Sequence, residues 1–356
     1  MSRVTFNNLR APFFATLNAR VERYFEENRL RKTGNRALYV KSAVLIAAAV
    51  GTYAALIAVP MHPLLSAALW CVFGFAQAAI GFNVMHDANH GSFSTRKWLN
   101  HVMGLTANAM GANAWFWKQK HNIIHHTYTN VDGVDDDIIK SPLLRMCHTQ
   151  KRFFMHRFQY IYCVFLYGLT SIVWIFLSDF AKYFQKRIQT TRLRKMANAD
   201  HAMFWGTKIL YCVLFIALPL YAVGLVPWLV GFSLMHFTFG FTLTIVFQLA
   251  HVVESTHFEN TNGAALKIEN EWAVHQVRST ANFATGNRFI SWFTGGLNFQ
   301  VEHHLYPKIS HVHYPAIRVF VKETCAAYAV DYNEYPSMLS AMRSHFRFMK
   351  HLGTAA

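Results

Sequence analysis

Four runs of the chain, Ser42–Val59, Leu64–Met85, Ile209–Leu229 and Gly231–Ala250, contain no Asp, Glu, Lys or Arg. At a rise of about 1.5 Å per residue, each is long enough as a helix to span a hydrocarbon layer of roughly 30 Å. The first two are joined by Pro60-Met61-His62-Pro63 and the last two by a turn near Pro227-Trp228-Leu229, with no charge in either connector. The pattern predicts an all-α integral membrane protein with two transmembrane hairpins, four crossings in all.

Two further stretches compete. Leu99–Trp117 is uncharged but rich in Asn, Gly and Ala, and Tyr160–Leu177 is apolar enough to span. Lys151, Arg152 and Arg157 precede Tyr160–Leu177, and Lys182, Lys186, Arg187, Arg192, Arg194 and Lys195 follow it. Positive flanks mark the cytoplasmic side, so both ends of this segment belong there. Such a helix lies on the membrane or folds back into protein, and it does not cross. Both chain ends then face the cytoplasm.

The remaining composition fits. Of the 356 residues 53% are hydrophobic and only 15% charged, where a soluble domain would carry charge on about a quarter of its positions. The net charge of +16 comes from Lys and Arg beside apolar runs, and no nucleic-acid recognition module accompanies it. That distribution suits cytoplasmic loops and anionic headgroups. The five cysteines form no CxxC pair, which argues against a disulfide framework or thiolate metal site. MSRVTFNNLR has no adjoining short apolar core of a cleaved signal. Phe14, Leu17, Val21 and Phe25 give Ala11–Leu30 one apolar helical face, so residues 1–41 read as a cytoplasmic amphipathic region at the interface. Residues 42–314 form the membrane and catalytic body. Residues 315–356 hold two cytoplasmic helices, one opened by Pro315 and one over Ser337–Leu352.

Histidine is concentrated where the hairpins emerge. HDANH at 86–90, HNIIHH at 121–126 and QVEHH at 300–304 take seven of the 20 histidines. His86 and His90, like His121 and His125, are four apart and share a helical face. With four crossings all three clusters meet the cytoplasm, whereas a fifth would put His303 and His304 across the membrane from the rest. Seven imidazoles exceed the four ligands of an ordinary zinc site, so two metals are the economical reading. Imidazole accepts iron, zinc, copper or nickel. Iron follows if the chemistry is oxidative, and a zinc-dependent membrane hydrolase is the alternative from ligand chemistry alone.

In this order around two hairpins, the clusters resemble the three histidine boxes of the membrane fatty acid desaturases. HHTYTNVDGVDDDI from His125 to Ile138 and EWAVHQVRSTANF from Glu271 to Phe283 extend the likeness. The third box begins with Gln300 rather than histidine, as in the front-end (acyl-lipid or linoleoyl-type) branch. The resemblance implies a cytoplasmic helical cap holding two irons, and oxygen-dependent desaturation of a long acyl chain presented as an acyl lipid or acyl-CoA. The implied ligands are His86, His90, His121, His125, His126, His303 and His304, with His251 outside the boxes. Gln300 stands at a ligand position and leaves the coordination number open. Phe247 replaces the family's asparagine four residues before His251 and cannot hold a water. Trp117, four residues before His121, is placed beside the substrate.

Ligating imidazoles need their other nitrogen fixed. Asp87, Asn89, Asn122, Asn130, Asp135, Asp137, His275 and Glu302 are the candidates, each equally readable as a cap or loop residue, while His257 reads as a polar loop residue. Ala78, Ala79, Gly81 and Gly240 either leave room for the acyl chain or serve helix packing. With no fused heme domain in view, electrons are expected from a separate ferredoxin or cytochrome b5. The basic Lys182–Lys195 loop is either its landing surface or a simple positive flank. A di-iron hydroxylase of the same superfamily is the nearest alternative activity, and zinc is expected to be able to replace iron in recombinant protein.

Overall fold

The structure, a computed structural model, describes residues 4–8, 11–138, 142–260 and 266–355, so MSRVTFNNLR lies partly outside it. The principal helices are α1 (Pro12–Glu27), α2 (Arg36–Ala58), α3 (Pro63–His90), α4 (114–125), α5 (Phe154–Gln185), α6 (Asn198–Val223), α7 (Leu225–His251), α8 (Trp272–Ser279), α9 (Gln300–Leu305), α10 (Tyr314–Ala327) and α11 (Met338–Thr354). Two- and three-residue strand pairs, such as Val4–Phe6 beside Leu266–Ile268, tie loops of the cap together. The fold is all-α with several membrane-spanning helices.

Helix α7 is the central pillar, packed along α3 on one side and α5 on another. Small residues set the approach. A Cβ on Gly231 would lie 2.2 Å from the Trp70 indole nitrogen, one on Gly74 would lie 2.6 Å from the Met235 carbonyl oxygen, and one on Gly81 would touch Leu243 at 3.5 Å. These pairs ascend together, so α3 and α7 run side by side in the same direction. Their C-terminal ends therefore emerge together, carrying His86 and His90 on one and His251 on the other. On the α5 side, a Cβ on Gly240 would sit 2.6 Å from the Gly168 carbonyl oxygen. Gly240 is thus a backbone-to-backbone packing residue and leaves no room for a ligand chain.

Three expectations are corrected. Five helices, not four, are long and apolar enough to cross a membrane, α5 being the addition. The second hairpin turns at Gly224 (φ 84°) rather than at Pro227-Trp228-Leu229. Pro227 sits in the first turn of α7, where its missing N–H costs nothing because that donor has no helical acceptor. Third, the apolar stripe of α1 is Phe13, Leu17, Val21 and Phe25, all buried against protein including Ile317 and Val321 of α10 rather than turned to lipid. Phe14 is displaced to the flank of that stripe, edge-on to Trp272.

Helix α5 is held along its length. Its first turns bind the loop after the second histidine cluster, with Tyr162 donating to the Leu143 carbonyl at 2.7 Å. Its middle reaches the midpoint of α7, where Ser171 meets His236 at 2.9 Å. Its end returns to the cluster loop, with Lys182 3.2 Å from Asp136. A π-helical turn at Trp174–Ser178 interrupts its α-helical bonding between the last two of these contacts. Buried Lys208 of α6 secures it, binding the Ile175 carbonyl, the Gly111 carbonyl and Asp179 at 2.7–2.8 Å.

Candidate metal centre

Local helix geometry aims the first two clusters. A π-helical turn, Gly81–Met85, precedes His86–His90 in α3, and another, Gln119–His125, carries the second cluster in α4. In a π turn the backbone bond runs from residue i+5 to residue i, and the His126 amide binds the His121 carbonyl at 3.1 Å. His121 and His126 are thereby brought over one another, with their Nε2 atoms 3.3 Å apart. His86 Nε2 approaches His121 Nε2 to 3.2 Å from α3. The third cluster arrives on α9, where Gln300 and His304 share a face and His303 lies beside them.

Two adjacent donor groups result. In one, the ligand atoms of His86, His90, His121 and His303 lie within 4.8 Å of one another, and in the other those of His125, His251 and His304 do so. His126 joins them, its ligand atom within the same distance of His303 and His304. All eight expected imidazoles are brought together. Gln300 is fully buried, and among the described residues neither atom of its amide meets a protein partner, nor does Nε2 of His90, His125, His303 or His304. So many orphaned lone pairs in a dry site would be costly without a cation. Burial, then mutual repulsion with neighbouring imidazoles, holds His121, His126, His303 and His304 well below the ordinary histidine value. They are neutral donors, and the set fits a di-iron centre.

The surrounding residues divide into those that orient an imidazole and those that do not. His125 donates from Nδ1 to Asp135 at 3.0 Å, leaving Nε2 toward the site. Burial lowers the affinity of His125 for protons, but the charge and hydrogen bond of Asp135, with the charge of Asp137, outweigh it and raise the net value. Asp137 binds Lys120 at 2.7 Å and lies within ligand reach of His121 and His125. Asn130, at φ 56°, donates to the His251 and Ser279 carbonyls at 2.8 and 3.2 Å. His275 binds the Thr129 carbonyl at 2.8 Å. Asp87 turns away from the imidazoles and ties Ser310 and His311 at 2.7 and 2.9 Å, clamping the first cluster to the segment after the third. Asn89 and Asn122 hold the Gly104 and Asn89 carbonyls. Glu302 faces Asn282 and Tyr332, and burial pushes its carboxyl up to about 7. His257 is an exposed loop residue beside Glu259.

Sequence reasoning missed two orienting groups. Gln276 Oε1 accepts from His304 Nδ1 at 2.9 Å, and Tyr314 OH meets His303 Nδ1 at 3.0 Å. Gln276 directly follows His275, so the WAVHQ stretch contained the signal one residue along; Tyr314 had none. Trp117 stacks on His121 with centroids 4.4 Å apart and stands edge-on to His86 and His90. Phe247 borders a small cavity of about 10 Å³, the size of one water, together with His125, Asp137, Gln248 and His251. The Gln248 Oε1 atom there meets no partner among the described residues, another polar group that periodicity did not disclose.

A helical membrane scaffold whose parallel helix ends collect eight imidazoles into two adjoining groups defines a membrane-bound dimetal oxidoreductase. The fatty acid desaturase family model matches residues 63–336. The chain is 34% identical over 355 residues to an sn-1 linoleoyl-lipid 6-desaturase of Synechocystis sp., covering 99% of both chains. It is also 34% identical to an enzyme of the same name from Arthrospira platensis, covering 98% of this chain and 94% of that one. To an acyl-lipid (8-3)-desaturase of Physcomitrium patens it is 35% identical, over 96% and 72%. The chain belongs to the fatty acid desaturase family. Its activity is oxygen-dependent desaturation of a fatty acyl chain at a histidine-held dimetal centre.

Proposed function

We propose that this enzyme is a front-end desaturase acting on C18 chains that already carry a double bond and are esterified in membrane lipid. The observation that carries this reading is Gln300, fully buried on the face of α9 that also presents His304. Relatives named for linoleoyl-lipid and acyl-lipid desaturation support the same branch. The eight histidines are proposed as ligands, with Gln300 contributing directly or through water, and Trp117 as a wall of the substrate site. The irons would supply the oxygen chemistry that removes two hydrogens from neighbouring methylenes. The protein's part is to keep the imidazoles neutral, hold their tautomers through Asp135, Gln276 and Tyr314, and exclude water.

Of the five helices apolar enough to cross, four are proposed to do so, α5 being the exception, with the centre and both chain ends toward the cytoplasm. Support comes from α5, whose Tyr162 and Lys182 contact the loop after the second histidine cluster at Leu143 and Asp136. Electrons would be delivered by a ferredoxin or cytochrome b5. Exposed Arg187, Arg192, Arg194 and Lys195 suit an acidic carrier, whereas Lys182 is buried against Asp136 and takes no part.

The test supplies purified enzyme and its carrier with oleate or linoleate as phospholipid and as coenzyme A thioester, then locates the new bond. Insertion between the existing bond and the carboxyl end, with the phospholipid preferred, is expected. Insertion toward the methyl end, or activity on saturated chains alone, would remove the front-end assignment. A product that gains oxygen would replace desaturation by hydroxylation.

A further inference from the structure

The C-terminal helix α11 presents two different faces. Inward, His345 donates from Nδ1 to the Val252 carbonyl at 2.6 Å while its Nε2 meets the Tyr167 hydroxyl at 2.9 Å. Val252 follows His251, so this face braces the end of α7 at the metal centre. Outward, α11 forms one wall of an open groove of about 360 Å³ against the start of α5. The floor is apolar, made by Tyr160, Met342 and Phe346, and the rim carries Arg343, Arg347 and Lys350.

These three cations sit at i, i+4 and i+7, along one side of the helix. All are exposed, and none forms an ion pair among the described residues. Lys350 lies instead over the Tyr160 ring, 5.5 Å from its centre. An ordinary solvated basic face would have polar surroundings. Here the adjoining surface of α5 is Phe154, Phe158, Ile161 and Phe165, all outward and Phe154 78% exposed. Arg157 stacks over both Phe154 and Phe158 at 5.2 Å, the mixture of aromatic and cation found where protein crosses from hydrocarbon to headgroups. The groove thus joins a lipid-facing wall to a patch of uncompensated positive charge.

We propose that this groove binds an anionic phospholipid, with its phosphate between Arg343, Arg347 and Lys350 and an acyl chain along Tyr160, Met342 and Phe346. The inference rests on the membrane setting of α5 and not on the front-end reading, and the site is separate from the one that presents substrate to the metals. A lipid seated there joins α11 to α5, and through His345 it steadies the backbone next to His251.

Full-length protein in detergent micelles is titrated with phosphatidylglycerol and with phosphatidylcholine, and retained lipid is counted by native mass spectrometry. Phosphatidylglycerol is expected to be retained preferentially and to raise the melting temperature. An Arg343→Gln/Arg347→Gln variant loses two charges, each contributing about a fivefold factor to the surface attraction, and should bind it roughly thirtyfold more weakly. Its iron content should equal that of the wild type, showing an intact fold. Equal retention of phosphatidylcholine, or unchanged phosphatidylglycerol binding by the variant, would overturn the site. Binding of inorganic phosphate as tightly as the lipid would do so too, because the apolar floor would then contribute nothing.

Discussion

At the scale of single residues, the centre depends on which ring nitrogen each histidine keeps free. Asp135 fixes His125, Gln276 fixes His304 and Tyr314 faces His303. Loss of such a partner ordinarily lowers metal affinity about 10–100-fold, and Asp135→Asn is expected to do so in an iron-chelator competition. Glu302→Gln provides the contrast. That carboxyl is adjacent to the third box but faces Asn282 and Tyr332, so iron should be retained; equal losses in both variants would mean that Asp135 acts only through the fold. His90→Ala and His304→Ala remove imidazoles from different donor groups. Each should lose iron and activity together by elemental analysis, and a wild type holding tight zinc but never iron would refute the oxidative centre.

At the scale of elements, helix register and helix contact carry the site. The π turn at Gln119–His125 lets residues five apart superpose, which a reading based on four-residue spacing did not anticipate. Contact between α5 and α7 is as close as backbones allow. Gly240→Ala places a methyl 2.6 Å from the Gly168 carbonyl oxygen, and neither backbone has a flexible end to yield. Overpacking of this kind costs about 1–3 kcal/mol, expected as a lowered melting temperature and denaturation midpoint. Gly51→Ala in α2 is the control: its Cβ meets nothing within 4 Å, and helix propensity there favours alanine by about 0.8–1.0 kcal/mol. A Gly240→Ala protein as stable as the Gly51→Ala one would show that α5 and α7 part freely.

At the scale of the whole molecule, a fifth apolar helix coexists with three histidine clusters gathered at one end. Tyr162 and Lys182 of α5 both contact the loop after the second cluster, and the proposed four crossings put Lys151 and Lys195 on the same side of the bilayer. Cysteines introduced at Lys151 and Lys195 should therefore react with an impermeant reagent from one side, and a cysteine at Met61 from the other. Labelling of Lys151 and Lys195 positions from opposite sides would require five crossings.

Much was legible in the amino-acid order because its signals are local. Uncharged runs long enough to span, the clustered histidines and Gln300 at the head of the third box need no tertiary knowledge, and with the family resemblance they pointed to an iron desaturase. The stripe through Leu17, Val21 and Phe25 identified α1 as amphipathic, but hydrophobic periodicity says that a face is covered and not by what; only packing assigned it to α10 and not to lipid. Likewise, hydropathy sees the length of α5 and not what holds it, which includes Lys208 arriving from another helix. The division of eight imidazoles into two donor groups, and their orientation by Gln276 and Tyr314, also lay beyond sequence. These contacts join residues far apart in the chain, and the parallel course of α3 and α7 that creates them goes with the close approach that Gly74 and Gly231 allow.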